Sequence, residues 1–158
     1  MKKISILFIS LLFLLSGCDN NEPETAPNID LTAESLEFSL EKTDELEGNV
    51  TITGTIKNIG EDYRSNEGQQ TIQLVEKPAA GQAEVLATKK FKDLDAGATL
   101  EITHVIQGWR ASQEFPPSFI LRISFDPDLF IDGNTHNDDS NEHNNSLEKP
   151  GQEINQFF

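Results

Sequence analysis

The chain has 158 residues, of which 12 are Lys or Arg and 27 are Asp or Glu, giving a formal net charge of −15. Such a surface repels nucleic acid and anionic lipid headgroups and attracts cations or basic partners, although acids also simply keep a protein soluble. One cysteine excludes an intramolecular disulfide, and the length suits one domain able to bury a core without staples.

The chain opens on Met1-Lys2-Lys3, an apolar run from Ile4 to Leu15, and then Leu15-Ser16-Gly17-Cys18. A charged start, an apolar stretch short for a bilayer and small residues before a cut site mark a cleaved secretory signal. These residues resemble the signal peptide and lipobox of a bacterial lipoprotein. The resemblance implies that residues 1–17 are removed and that Cys18 carries a diacylglycerol thioether and an acylated amino terminus. Two or three buried acyl chains, at about 0.8 kcal/mol per methylene, hold a protein on a membrane without a transmembrane helix. The expected location is the cell envelope, with the outer membrane or cell surface favoured. Acids directly after the cysteine resemble an inner-membrane retention signal in one kind of bacterium and a surface-export signal in another, and both stay open.

Residues 18–28 carry two prolines, several acids and little to bury, which predicts a disordered tether. From Ile29 to Phe158 the pattern is that of strands, with apolar residues at every second position between turn residues. Leu36 to Leu40 alternates, as does Val50 to Ile56, where Gly54 stands in for an inward side chain. Ile72 to Leu74 follows, then a turn at Pro78 to Gly81 and the run Val85 to Phe91. The turn Asp95-Ala96-Gly97 leads into Leu100 to Ile106, and Phe119, Leu121, Ile123 and Phe125 share one face of the most regular run. A last strand falls within Asn145 to Lys149 or Glu153 to Phe158. Short strands at this spacing predict an all-β antiparallel sandwich in which each sheet buries one face.

Three stretches resemble the CARDB family, the cell-adhesion-related domain of bacteria: Gly54 to Gly60 closing on Asn58-Ile59-Gly60, Leu94-Asp95-Ala96-Gly97-Ala98, and Ile123 to Asp128 leading to Asn141-Glu142-His143-Asn144-Asn145. The resemblance implies a seven-stranded immunoglobulin-like sandwich. Two departures stand out, a long stretch between Asp128 and Asn141 and a segment Gly108 to Pro117 that reads as an insertion; private function would sit in those loops.

The acidic loop from Asp126 to Glu142 offers carboxylates and amides, and Asp126, Asp128, Asp132, Asn134 and Asp138 are candidate calcium ligands. Set as an EF-hand loop from Asp132, it holds Asn137 at the sixth position and His143 at the twelfth, so it is not an EF-hand. The alternative is a solvated loop whose Asn and Asp side chains cap turns, with Asn144 or Asn145 bonding backbone across the end of the sandwich. In Gly108 to Pro117, Trp109 and Phe115 are candidate ligand-binding aromatics, with core packing the competing role for Trp109. No serine sits in a nucleophile elbow, no zinc-hydrolase His spacing occurs, and His104 lies in a strand in phase with Leu100, Ile102 and Ile106. These features predict a non-catalytic, membrane-anchored binding or adhesion module meeting an envelope protein or glycan. The alternative is an accessory subunit of an envelope enzyme or export complex.

Overall fold

The computed structural model describes residues 26–66, 68–125 and 131–158; the signal segment, Cys18, Asp126 and Asp128 lie outside these residues. Nine strands occur among the described residues: β1 (Leu31–Lys42), β2 (Glu47–Asn58), β3 (Tyr63–Arg64), β4 (Gln70–Lys77), β5 (Glu84–Phe91), β6 (Asp93–Leu94), β7 (Thr99–Arg110), β8 (Ser118–Phe125) and β9 (Ser146–Pro150). Seven of them build the sandwich. One sheet has the order β1-β2-β7, the other the order β5-β4-β8-β9, and every neighbouring pair is antiparallel. The two-residue strands β3 and β6 pair beside them. This is the all-β antiparallel sandwich that the alternation predicts, with the seven-stranded, immunoglobulin-like form expected alongside it.

The alternation works because successive side chains in a strand point to opposite faces. Along β2, Val50, Ile52 and Ile56 are fully buried, Gly54 in phase with them is buried too, and Thr51, Thr53 and Thr55 on the other face are half-buried. The buried side chains meet Ile72, Leu74, Phe119, Leu121 and Ile123 of the facing sheet. Gly54 marks a close approach of the two sheets. A β-carbon there would lie 2.7 Å from Leu121 Cδ1 and 3.1 Å from Leu74 Cδ2, so the missing side chain makes room for two leucines.

Three element boundaries differ from the sequence reading. First, β1 begins at Leu31, five residues before the alternating run, because a register shift between Ala33 and Ser35 breaks the period without ending the strand. Second, β7 runs on to Arg110, so Gly108-Trp109-Arg110 is strand and the loop starts at Ala111. Its register against β2 slips between Gly48 and Val50, and Gly108 sits at φ +66°, a bulge that breaks the alternation there. Third, the last strand is Ser146–Pro150, and Gly151–Phe157 forms 3-10 turns that bury Ile154 under the core.

The strand directions give the sandwich two distinct ends. At one, the start of β1 meets the β2–β4, β5–β7 and β8–β9 connections. At the other, the β1–β2, β4–β5 and β7–β8 loops gather with the C-terminal turns.

Candidate functional site

The first of these ends is closed by side-chain hydrogen bonds. Asn58 is fully buried, donates through Nδ2 to the carbonyls of Glu61 (2.6 Å) and Leu94 (2.8 Å), and accepts from the Gly60 amide (3.0 Å). Gly60 has no room for a β-carbon, which would fall 2.3 Å from the Asn28 carbonyl oxygen. Gly97, at φ +77°, occupies the third position of a turn closed by the Ala98 amide on the Asp95 carbonyl (2.9 Å), and its own amide donates to the Asn58 carbonyl (2.8 Å). The stretches at Asn58-Ile59-Gly60 and Leu94 to Ala98 are therefore one corner of the fold. The third stretch joins the same end: the Ser140 amide donates to the Ile29 carbonyl (2.8 Å), and Ile29 bridges Asp139.

Tyr63 lies under this corner, fully buried against Phe91, and its hydroxyl donates to Gln70 Oε1 (3.0 Å). Burial pushes its phenol far above the ordinary value, and the charges of Asp139, Asp132 and Asp138 push it further, so it stays neutral and donates. Asp139 is itself raised by burial, opposed by donations from the Asn141 amide and from Asn145 Nδ2 (2.9 Å). Asp132 is held below the usual carboxylate range by Asn137 Nδ2 (2.9 Å) and the Asn134 amide (2.7 Å).

Those bonds give part of the calcium ligand set expected from sequence a second role, as turn caps. Asp132 spends its oxygens on Asn137, Asn134 and Gln69, and Asn134 accepts from the His136 amide (3.2 Å) while donating to the Arg64 carbonyl (2.9 Å). Both behave as turn caps. Asp138 differs, since its Oδ1 is buried without a donor. Among the described residues no three His, Cys, Asp or Glu side chains converge as a metal site. Asn144 and Asn145 also differ from expectation: their amides donate to the carboxylates of Asp30 (2.8 Å) and Asp139 rather than to backbone.

The second end is built otherwise. Trp109 is only 5% exposed; its indole packs 6.0 Å from the Phe119 ring and donates through Nε1 to Asn155 Oδ1 (3.0 Å). Trp109 is thus corrected from a candidate ligand platform to a core residue, because the β7 bulge turns it inward. Phe115, by contrast, is 69% exposed on the Ala111 to Pro117 loop, and Leu46 and Phe157 are exposed at the same end. The Ala111 amide donates to the Leu46 carbonyl (3.0 Å), which ties that loop to the β1–β2 hairpin.

Two open grooves flank the Arg110 to Ser112 segment. The larger of these two, of about 380 Å³, is lined by Glu76, Ile106, Gly108, Trp109 and Pro117, and the smaller, of about 260 Å³, lies against Asp44 to Glu47; a groove of about 520 Å³ between Glu61, Asp62, Arg64, Ala96 and His136 lies at the hydrogen-bonded end. Glu76 is the residue that sequence reasoning missed. It is half-buried opposite Glu84, and its carboxyl is raised first by that burial and then by the Glu84 charge, with His104 acting against both. The signal for it was present, an acid ending the apolar run Ile72 to Val75. Arg110 reaches Glu47 at 3.2 Å across the smaller groove. His104 is half-buried on the inner face of β7, and His136 and His143 are exposed.

Among the described residues no helix is long and apolar enough to cross a membrane. No protein-family model matches the chain, and no curated protein is similar to it. Among solved structures, β-glucosidase 3B from Thermotoga neapolitana in complex with glucose is similar at 16% identity, covering 78% of this chain and 16% of that one, with a TM-score of 0.37. A β-glucosidase from Listeria innocua in complex with glucose stands at 17% identity, the same two coverages and a TM-score of 0.34. This chain thus spans about a sixth of the length of either enzyme, and likeness of this degree carries nothing about activity.

Proposed function

We propose that the chain is a non-catalytic binding module of the bacterial cell envelope, held by lipid on Cys18 and meeting an envelope protein through its open end. The observation that carries this reading is the separation of the two ends. Ile29, where the packed domain begins, sits at the hydrogen-bonded end, so a tether from Cys18 attaches there. The end carrying Leu46, Phe115, Phe157 and the two grooves then faces away from the membrane.

Exposed apolar side chains around grooves lined by Asp44, Glu45, Glu47 and Glu76 favour a partner with apolar and basic groups. That chemistry fits a protein better than a neutral glycan, for which a flat exposed aromatic face is the usual platform. The test is photo-crosslinking in the producing cell, with a photoreactive phenylalanine analogue at Phe115 or at Ile131 of the opposite end. One discrete protein adduct from position 115, absent from 131 and lost with Cys18→Ala, is the expected result. Equal adducts from both positions, or adducts to polysaccharide alone, would sink the proposed mode.

A further inference from the structure

The segment from Asp132 to Asn145 uses its amides in a repeated way. Asn137 donates through Nδ2 to Asp132 Oδ2 (2.9 Å) and to Ser65 Oγ (3.1 Å). Asn144 donates to Asp30 Oδ1 (2.8 Å), and Asn145 to Asp139 Oδ2 (2.9 Å). In each of these bonds the amide nitrogen is the donor, which turns the carbonyl oxygen the other way. The oxygens so turned, Asn137 Oδ1, Asn144 Oδ1 and Asn145 Oδ1, are buried and accept from no donor; buried Asp138 Oδ1 is in the same position.

Asn137 is fully buried and Asn145 is 7% exposed. Buried acceptors without donors are costly, and native proteins rarely keep them without a reason. Here four fall within residues 137–145, and all are oxygens. The surrounding charge is negative. Among the described residues none of Asp132, Asp138 and Asp139 has a basic partner at ion-pair distance, and the Arg64 guanidinium turns to Asp62 (2.7 Å) and Asp95 (2.6 Å). Oxygens wanting positive charge, in a negative field without a cationic side chain, describe a site for a metal ion.

We propose that Asn137, Asp138 and Asn145, with Asn144 beside them, bind a divalent cation of the calcium type at the hydrogen-bonded end of the sandwich. Neutral amide oxygens with a carboxylate suit calcium, which accepts irregular all-oxygen shells, better than magnesium, which keeps its waters. Softer metals would call for thiolate or imidazole, and His136 and His143 point their exposure to solvent. The ligand set is distinct from the turn caps Asp132 and Asn134.

The test titrates calcium into the full chain after stripping with chelator, following heat and the unfolding midpoint. Calcium should bind and raise the midpoint. Asp138→Asn, which removes charge but no hydrogen bond, should weaken calcium about tenfold or more, whereas Asp95→Asn, paired with Arg64 at the same end, should leave it unchanged. A second readout does not depend on the variants. The chain has one tyrosine, and Tyr63 lies beneath these residues, so terbium in place of calcium should luminesce on tyrosine excitation and be displaced by calcium. Absence of calcium binding and of terbium emission at millimolar ion would overturn the site, as would equal affinity in Asp138→Asn and wild type; either result would assign the four oxygens to buried water.

Discussion

The two ends of one sandwich solve the same problem, closing a hydrophobic core, by opposite means. At the end where β1 starts, Asn58, Tyr63, Gln70, Asn137, Asp139 and Asn145 close it with polar groups that must find partners. At the other, Trp109, Phe119, Phe38 and Ile154 close it with rings and methyls, Phe38 meeting Phe119 edge-on at 5.5 Å. Polar closure is directional and fixes one arrangement of loops. Apolar closure makes no such demand on the loops above it, where Leu46, Phe115 and Phe157 are exposed, as Ile59 and Ile131 are at the polar end. The contrast teaches that one domain can close its two ends by different physics, hydrogen bonds at one and packed rings at the other.

Substitutions at the two ends can break this comparison, beginning with the largest effect. Trp109→Ala removes a buried ring and should cost about 4 kcal/mol, read as a loss of denaturation midpoint at unchanged slope. Asn58→Ala takes its amide donor from the Glu61 and Leu94 carbonyls, leaves the Gly60 amide only its bond to the Asp30 carbonyl (3.2 Å), and should cost about 3 kcal/mol. If the closing modes differ as argued, Asn58→Ala should also release hydrogen-exchange protection around residues 93–98, while Trp109→Ala should leave that corner protected. Phe115→Ala, at an exposed position, should change stability by less than about 0.5 kcal/mol while abolishing the adduct formed from a photoreactive residue placed beside it at Glu114.

The smallest effect concerns Glu76. Its carboxyl is raised in the fold by burial and by Glu84, so folding favours the protonated form. The resulting penalty is absent below the ordinary carboxylate range and fully present once pH exceeds the raised value. Glu76→Gln should therefore raise the midpoint slightly at neutral pH and leave it unchanged in acid; a gain of equal size at both would refute the electrostatic origin.

Strand identity was legible because a half-buried strand writes its faces into alternate residues, as in Phe119 to Phe125. Gly54 was legible too, since a glycine in phase with inward residues marks a close approach. The misread boundary at Gly108 has a physical cause: a bulge shifts the period by one, so the following Trp109 falls out of phase though it stays in the strand. Trp109 also shows why exposure is hard to read, because an aromatic beside prolines and charges reads as loop until the register is known. At the opposite end the Asn and Asp residues were visible, but whether they cap turns or present free oxygens depends on which amide nitrogen faces which carboxylate. Asp132 and Asp138, six residues apart in one acidic run, turn out to differ in this respect.

The ladder between β1 and β2 runs unbroken in direction from Leu31 opposite Asn58 to Lys42 opposite Gly48. Its hydrogen bonds stand perpendicular to the strands. A pull that enters at Ile29 and is resisted at the Phe115 loop, between β7 and β8, acts along β1 and loads these bonds in shear, where they must fail together. The same strand peeled from its side would release them one at a time. Mechanical strength in this fold is therefore a matter of where the load is attached, and attachment at the two ends is the strong direction.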